Sequence, residues 1–150
     1  SNLFGTIRTA KALIPSMQAQ AEASLFVVTG STSMLSAGAG FGGYAASKHA
    51  LLALTEALDA ELLRSGSKVR AALLCPSAVQ TGIADGDSHL LDKLKQRMTT
   101  HGISPDQMAR IAFDELALGG RVVFSSEPSK KTARNRLDAL LSGHFMHSTA

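Results

Sequence analysis

Apolar positions along the chain fall into helix-spaced and strand-length runs that alternate. Leu3, Ile7, Ala10, Leu13, Ile14 and Met17 recur at helical spacing over residues 3–20, where Pro15 is expected to bend or shorten the helix. Residues 24–29 (SLFVVT) are apolar on both faces and rich in β-branched and aromatic side chains, the pattern of a buried parallel strand. The glycine-rich stretch 30–43 reads as a loop. A long helix is predicted from about Tyr44 to Leu63, with Leu51, Leu54, Leu58 and Leu62 as its apolar stripe and Ser65-Gly66-Ser67 as its end. Residues 68–75 (KVRAALLC) read as a second strand, stopped by Pro76, which has no N–H to give a ladder.

An irregular stretch containing Gly82 and Gly86 then leads into an amphipathic helix over 88–99. Ser104, Pro105 and Gln107 supply an N-cap, a first helical position and a capping box, and Gly119-Gly120 closes the helix they start. A third strand is predicted at 121–125 and a short polar-faced helix around 129–141. Alternation at these lengths implies right-handed parallel crossovers, hence an α/β sheet with helices on both faces. Residues 1–150 read as one domain with no internal repeat or linker. Three strands make a small parallel sheet, and the first would lie at an exposed edge.

Composition narrows the class. With 45% hydrophobic and 18% charged residues the chain can build a core, which excludes disorder. The single cysteine, Cys75, excludes an internal disulfide and any cysteine-cluster metal site. A formal charge of +3 without a dense Lys/Arg run or basic aromatic stripe reads as a solvated surface, so no nucleic-acid partner is expected. No apolar run reaches the roughly 18–20 residues of a membrane span; the small-residue stretch 37–53 is broken by Lys48 and His49. No charged leader followed by an apolar region opens the sequence, and a cytoplasmic protein is expected, although the chain reads as starting inside a domain.

The only tyrosine, Tyr44, stands four residues before Lys48 in Tyr-Ala-Ala-Ser-Lys. Helical residues i and i+4 share a face, and an ammonium beside a phenol favours the phenolate, so such a pair can give or take the proton of an alcohol oxygen. Alone, the spacing also suits an ordinary surface pair. Ser31 changes that balance. It lies just past the first strand, in the glycine-rich stretch, where a hydroxyl can hold a substrate carbonyl against the phenol.

With Asn2 opening the preceding helix, the run VVTGSTSMLSAGAGFGGYAASKHALLALTEALDAEL resembles the catalytic segment of the short-chain dehydrogenase/reductase family. Asn2-Leu3-Phe4-Gly5 resembles that family's N-x-x-G, and Cys75-Pro76-Ser77-Ala78-Val79-Gln80-Thr81 its C-P-G-x-V-x-T. The resemblance covers most of residues 1–85 and continues more loosely to about 128. It implies a partial Rossmann-like, doubly wound sheet whose N-terminal half is missing from these residues. The implied activity is NAD- or NADP-dependent interconversion of a secondary alcohol and a ketone, with a small-molecule substrate and no metal. Tyr44 would be the general acid/base, Ser31 would orient the carbonyl, and Lys48 would bind the cofactor ribose and favour the Tyr44 phenolate. Asn2 would hold a water linking Lys48 to solvent. The Val79 backbone and the Thr81 hydroxyl would contact the nicotinamide carboxamide, with Pro76 shaping their turn. The family's dimers and tetramers imply pairing through the helices at about 3–20 and 44–63.

This sequence departs from the family pattern at Ser77, which replaces the usual glycine, and Ser33 rivals Ser31 for the substrate-facing role. The family's T-G-x-x-x-G-x-G pyrophosphate loop does not occur in residues 1–150, and Gly38–Gly43 follows the wrong strand for it. The chain is therefore expected to start inside a longer, seven-stranded fold. Two alternatives stay open: a fragment unable to bind cofactor by itself, and a 3-oxoacyl-carrier-protein reductase, which shares this motif set. The helix bearing Leu90, Leu91, Leu94 and Met98 reads equally as core packing or as the family's substrate lid. Cys75 reads as a buried small hydrophobe, His49 as facing away from Tyr44 and Lys48, and His144 and His147 as parts of a solvated tail. His89 and His101 have no partners at an informative spacing.

Overall fold

The computed structural model describes residues 2–85 and 89–146 and contains one sheet of three parallel strands in the order β1-β2-β3. These are β1 (Ser24–Thr29), β2 (Val69–Cys75) and β3 (Val122–Phe124). The helices are α1 (Asn2–Gln18), α2 (Gly42–Arg64), α3 (His89–His101), α4 (Pro105–Ala117) and α5 (Glu127–Leu141). β1 pairs with β2 from Ser24↔Val69 to Thr29↔Leu74, and β2 with β3 from Leu73↔Val122 to Cys75↔Phe124.

Strand alternation sorts the side chains into two cores. Val69, Ala71, Leu73 and Cys75 of β2 pack with Phe26 and Val28 of β1, Ile14 of α1, and Leu51 and Leu62 of α2. Leu54 and Leu58 of the predicted stripe pack, partly buried, against the same cluster. Leu74 points the other way and joins Val123 under Met108 and Ala112 of α4. Helices thus cover both faces, as expected of this α/β fold. β2 has a strand on each side and is the most buried element; burying a side chain such as Leu73 is worth about 1.5–3 kcal/mol.

Three local differences have physical causes. α1 runs through Pro15 to Gln18, because a proline removes one backbone donor while its own carbonyl still accepts from Ala19 N at 3.1 Å. The glycine-rich stretch is not all loop. Thr32–Met34 form a 3₁₀ turn with Met34 buried, and Gly42 and Gly43 already belong to α2, whose first-turn N–H groups need no partner within the helix. β1 is buried on one face only: Phe26 and Val28 are covered, whereas Val27 is 40% exposed. Its predicted burial on both faces fails because α4 covers Val123 and Leu74, farther across the sheet.

The capping box at α4 forms as predicted, with Ser104 Oγ accepting from Gln107 N at 3.1 Å and Gln107 Oε1 accepting from Ser104 N at 2.9 Å. Gly119, at φ +89°, ends the turn after that helix in a conformation that favours glycine. α5 starts earlier than its apolar pattern suggests because Ser126 caps it. Among the described residues, no helix is long and apolar enough to cross a membrane.

Candidate active site

The carboxyl ends of all three strands lie on one edge of the sheet, where open α/β folds bind ligands. Beyond β1, Gly30 N donates to Leu74 O at 2.8 Å, and Thr32 N donates to Pro76 O at 2.9 Å. A Cβ at position 30 would stand 2.9 Å from Leu74 O, so the close approach requires glycine. Between these bonds Ser31 is held in extended backbone and caps the 3₁₀ turn, its Oγ accepting from Ser33 N at 3.1 Å. The Ser31 O–H remains available to donate.

α2 packs against that turn and carries Tyr44 and Lys48 on one face. Lys48 is only 8% exposed and donates from Nζ to Thr29 O at 2.9 Å. Its Nζ lies 5.7 Å from the centroid of the half-buried Tyr44 ring. Burial pushes the Lys48 ammonium below the ordinary lysine range. Asn2 comes to the same helical turn: its Nδ2 donates to Ser47 Oγ at 3.4 Å, and Ser47 Oγ donates to Tyr44 O at 2.7 Å. The structure therefore brings Asn2 beside the Tyr44–Lys48 turn through Ser47.

The turn after β2 is fixed by backbone bonds. Ile103 N donates to Ala78 O at 3.1 Å, and Gln80 N donates to Ile103 O at 3.0 Å, which makes Val79 the bridge residue. In this parallel pattern the N–H and C=O of Val79 itself point away from Ile103 and take no part. Thr81 is exposed and precedes a second 3₁₀ turn, Gly82–Ala84, without a capping bond from its hydroxyl. Ser77 donates its N–H to Ser125 Oγ at 3.0 Å. No described residue other than glycine has positive φ, so serine in the family's glycine position carries no left-handed strain.

Three contributors escaped the sequence reading. Thr29 acts through its carbonyl, which has no side-chain signal. Ser47 lies inside the Tyr–Lys motif and was visible only as spacing. Ser125 closes the third strand, and its reach to Ser77 depends on strand order. Elsewhere, Cys75 is buried, its thiol pushed up to about 12, and its Sγ meets Met34 Sδ at 3.8 Å. His49 donates from Nδ1 to Ala45 O at 2.8 Å, back along its own helix. His147 and Gly86 lie outside the described residues. A concavity of about 480 Å³ among the described residues does not include Lys48 in its lining. It runs along the free edge of β1, between Thr6, Thr9, Leu13 and Met17 of α1 and the strand.

Residues 1–90 match the short chain dehydrogenase family. The chain is 28% identical to 1-deoxy-11-beta-hydroxypentalenate dehydrogenase of Streptomyces exfoliatus over 137 residues, covering 91% of this chain and 48% of that protein. It is 36% identical to an uncharacterised NAD-dependent oxidoreductase of Mycobacterium tuberculosis over 104 residues, covering 69% of this chain and 37% of that one. A short chain dehydrogenase/reductase from Burkholderia phymatum, solved in complex with NAD, superposes with a TM-score of 0.87 at 26% identity, covering 95% of this chain and 57% of that one. The chain thus spans about half the length, or less, of the curated relatives it matches. With the parallel sheet, the strand-end Ser31 and the Tyr44–Lys48 face already in place, these matches show that the chain belongs to the short-chain dehydrogenase/reductase family.

Proposed function

We propose that this chain is the catalytic half of an NAD(P)-dependent oxidoreductase that interconverts a secondary alcohol and a ketone. The observation that carries this reading is the buried Lys48, tied to Thr29 at the end of β1 with its Nζ 5.7 Å from the Tyr44 ring. A buried ammonium held beside the chain's only tyrosine is an expensive arrangement for a merely structural pair.

The residues present fit a nicotinamide cofactor. Lys48 uses one of its three donors on Thr29, which leaves others for ribose hydroxyls. The free N–H and C=O of Val79 and the hydroxyl of Thr81 suit a carboxamide, and Pro76, which lacks an N–H, shapes the turn that presents them. Bound there, the nicotinamide supplies or accepts hydride at the substrate carbon. Tyr44 gives the proton to the substrate oxygen in reduction and takes it in oxidation, aided by the neighbouring ammonium. Ser31 donates to the same oxygen and orients it. Asn2, anchored on Ser47, holds a water through which Lys48 exchanges protons with solvent. In this reading α3 is a lid over an apolar substrate, with Leu94 half-buried and Met98 buried.

A second reading is favoured by the open β1 edge and the short coverage of the relatives. Here residues 1–150 carry the proton-transfer groups, while further strands seated on β1 complete the dinucleotide site. Titrating NADH and NADPH against residues 1–150 and against an N-terminally extended polypeptide separates the two. A fluorescence response from both supports a self-sufficient chain; a response from the longer one alone supports the half-site. Silence from both contradicts cofactor use. Oligomers paired through α1 and α2 also belong to this proposal; Phe4 and Leu13 on α1 and Leu63 on α2 are exposed. Light scattering checks that pairing.

A further inference from the structure

The parallel ladder between β2 and β3 ends at Cys75↔Phe124, so its next step would set Pro76 beside Ser125. In this register Leu73 N donates to Arg121 O, so the next N–H to reach toward β3 beyond Cys75 is that of Ser77, past the last backbone pair. A side chain takes over instead: Ser125 Oγ accepts from Ser77 N at 3.0 Å. Ser125 is buried, and its hydroxyl lies 3.3 Å from that of the equally buried Ser129, in the first turn of α5. Ser129 Oγ in turn lies 3.0 Å from Ser126 Oγ, the cap of that helix. One line of hydroxyls therefore joins the start of α5 to the turn after β2. The same turn is bonded to Thr32 on one side and Ile103 on the other.

We propose that Ser125 is a positioning residue that sets the 76–81 turn for cofactor, so that the seating of α5 governs how the nicotinamide end is held. The inference rests on the alcohol–ketone reading above. The anchoring is specific to Ser77. Ile103 fixes the far part of the turn through Ala78 and Gln80, whereas the near part, where Ser77 leaves the strand, has Ser125 as its side-chain anchor. Ser77 is itself exposed and its bond to Ser125 only part-buried, so solvent lies close enough to replace the Ser125 hydroxyl at its N–H. Loss of that hydroxyl then loosens the turn without costing the fold a buried, unpaired donor.

The test is steady-state kinetics of Ser125→Ala, Ser125→Thr and Ser129→Ala in the complete protein, with thermal melting alongside. The expected result is a cofactor KM raised about three- to tenfold in Ser125→Ala, the worth of one hydrogen bond, with kcat and the substrate KM nearly unchanged. Ser125→Thr, which keeps the hydroxyl, restores the parent cofactor KM. Ser129→Ala moves it in the same direction by less. A cofactor KM within twofold of the parent in Ser125→Ala overturns the positioning role and leaves the alcohol–ketone reading standing. So does a melting shift shared by the Ala and Thr variants without a KM split. A parent protein that neither binds nor uses NADH or NADPH overturns both.

Discussion

Lys48 Nζ donates to Thr29 O at 2.9 Å, which joins the second turn of α2 to the last residue of β1. This bond fixes the ammonium at the carboxyl edge of the sheet and keeps it there although it is only 8% exposed. The same edge holds Ser31 through Gly30 and Thr32, and the 76–81 turn through Ser125 and Ile103. The proposed chemistry depends on that shared edge.

Replacing Lys48 by Met removes the cation but keeps an apolar stem of similar length. Turnover should fall by at least about 100-fold, and cofactor affinity should fall with it. Because burial lowers the lysine pKa, the folded chain releases this proton more readily than the unfolded chain, so the charged form costs stability below the lysine range. Lys48→Met should therefore melt no lower than the parent at pH 7. A large drop in melting temperature with kcat intact would assign Lys48 to structure instead.

Gly30→Ala tests the close approach beside Ser31. Its Cβ would meet Leu74 O at 2.9 Å, Leu73 Cδ1 at 3.1 Å and Met34 Sδ at 3.3 Å. Two of these neighbours are buried core side chains and one is backbone, so little can give way. Urea unfolding should report a loss of about 1–3 kcal/mol, and Ser31 should shift enough to lower kcat. An unchanged midpoint would mean the strand end is looser than described.

Asp59 and Arg70 form a paired contact, with Arg70 Nε donating to Asp59 Oδ1 at 2.8 Å and Ala71 N donating to the same oxygen at 2.8 Å. The hydrogen bond from Arg70 is the largest cause holding the Asp59 carboxyl below its usual range. A folded pKa below the unfolded one adds stability that is fully present above the usual aspartate value of 3.8, and this is lost as pH falls through the lower folded value. Asp59→Asn should therefore melt lower than the parent at pH 7, with the gap closing as pH drops below 3.8. A gap that stays constant across that range would contradict the assignment.

Leu94→Asp probes α3. If α3 closes over an apolar substrate, KM for apolar ketones should rise by about tenfold or more, while small polar ketones are little affected. Equal changes for both classes would make α3 ordinary packing.

Much of this was legible in the sequence for identifiable reasons. The 3.6-residue stripe of α2 and the capping box at Ser104 specify their elements locally, and both formed. The Tyr44–Lys48 face follows from helical geometry alone. What escaped depends on neighbours in space. Val27 looks as apolar as Val28, yet one is exposed and the other buried, because only the sheet order determines which face a helix covers. Thr29 contributes a carbonyl, and Ser125 matters only because β3 lies beside β2. The glycines at 42 and 43 read as loop because their composition does not reveal that a helix starts on them.

Tyr44→Phe is the most direct test of the central claim, since it removes one hydroxyl and keeps the ring beside Lys48. In the complete protein, turnover of a secondary alcohol or ketone should fall by about 100- to 10,000-fold, while NADH or NADPH binding stays within a few-fold of the parent. Substantial retained turnover, with the cofactor still bound, would contradict Tyr44 as the proton-transfer group.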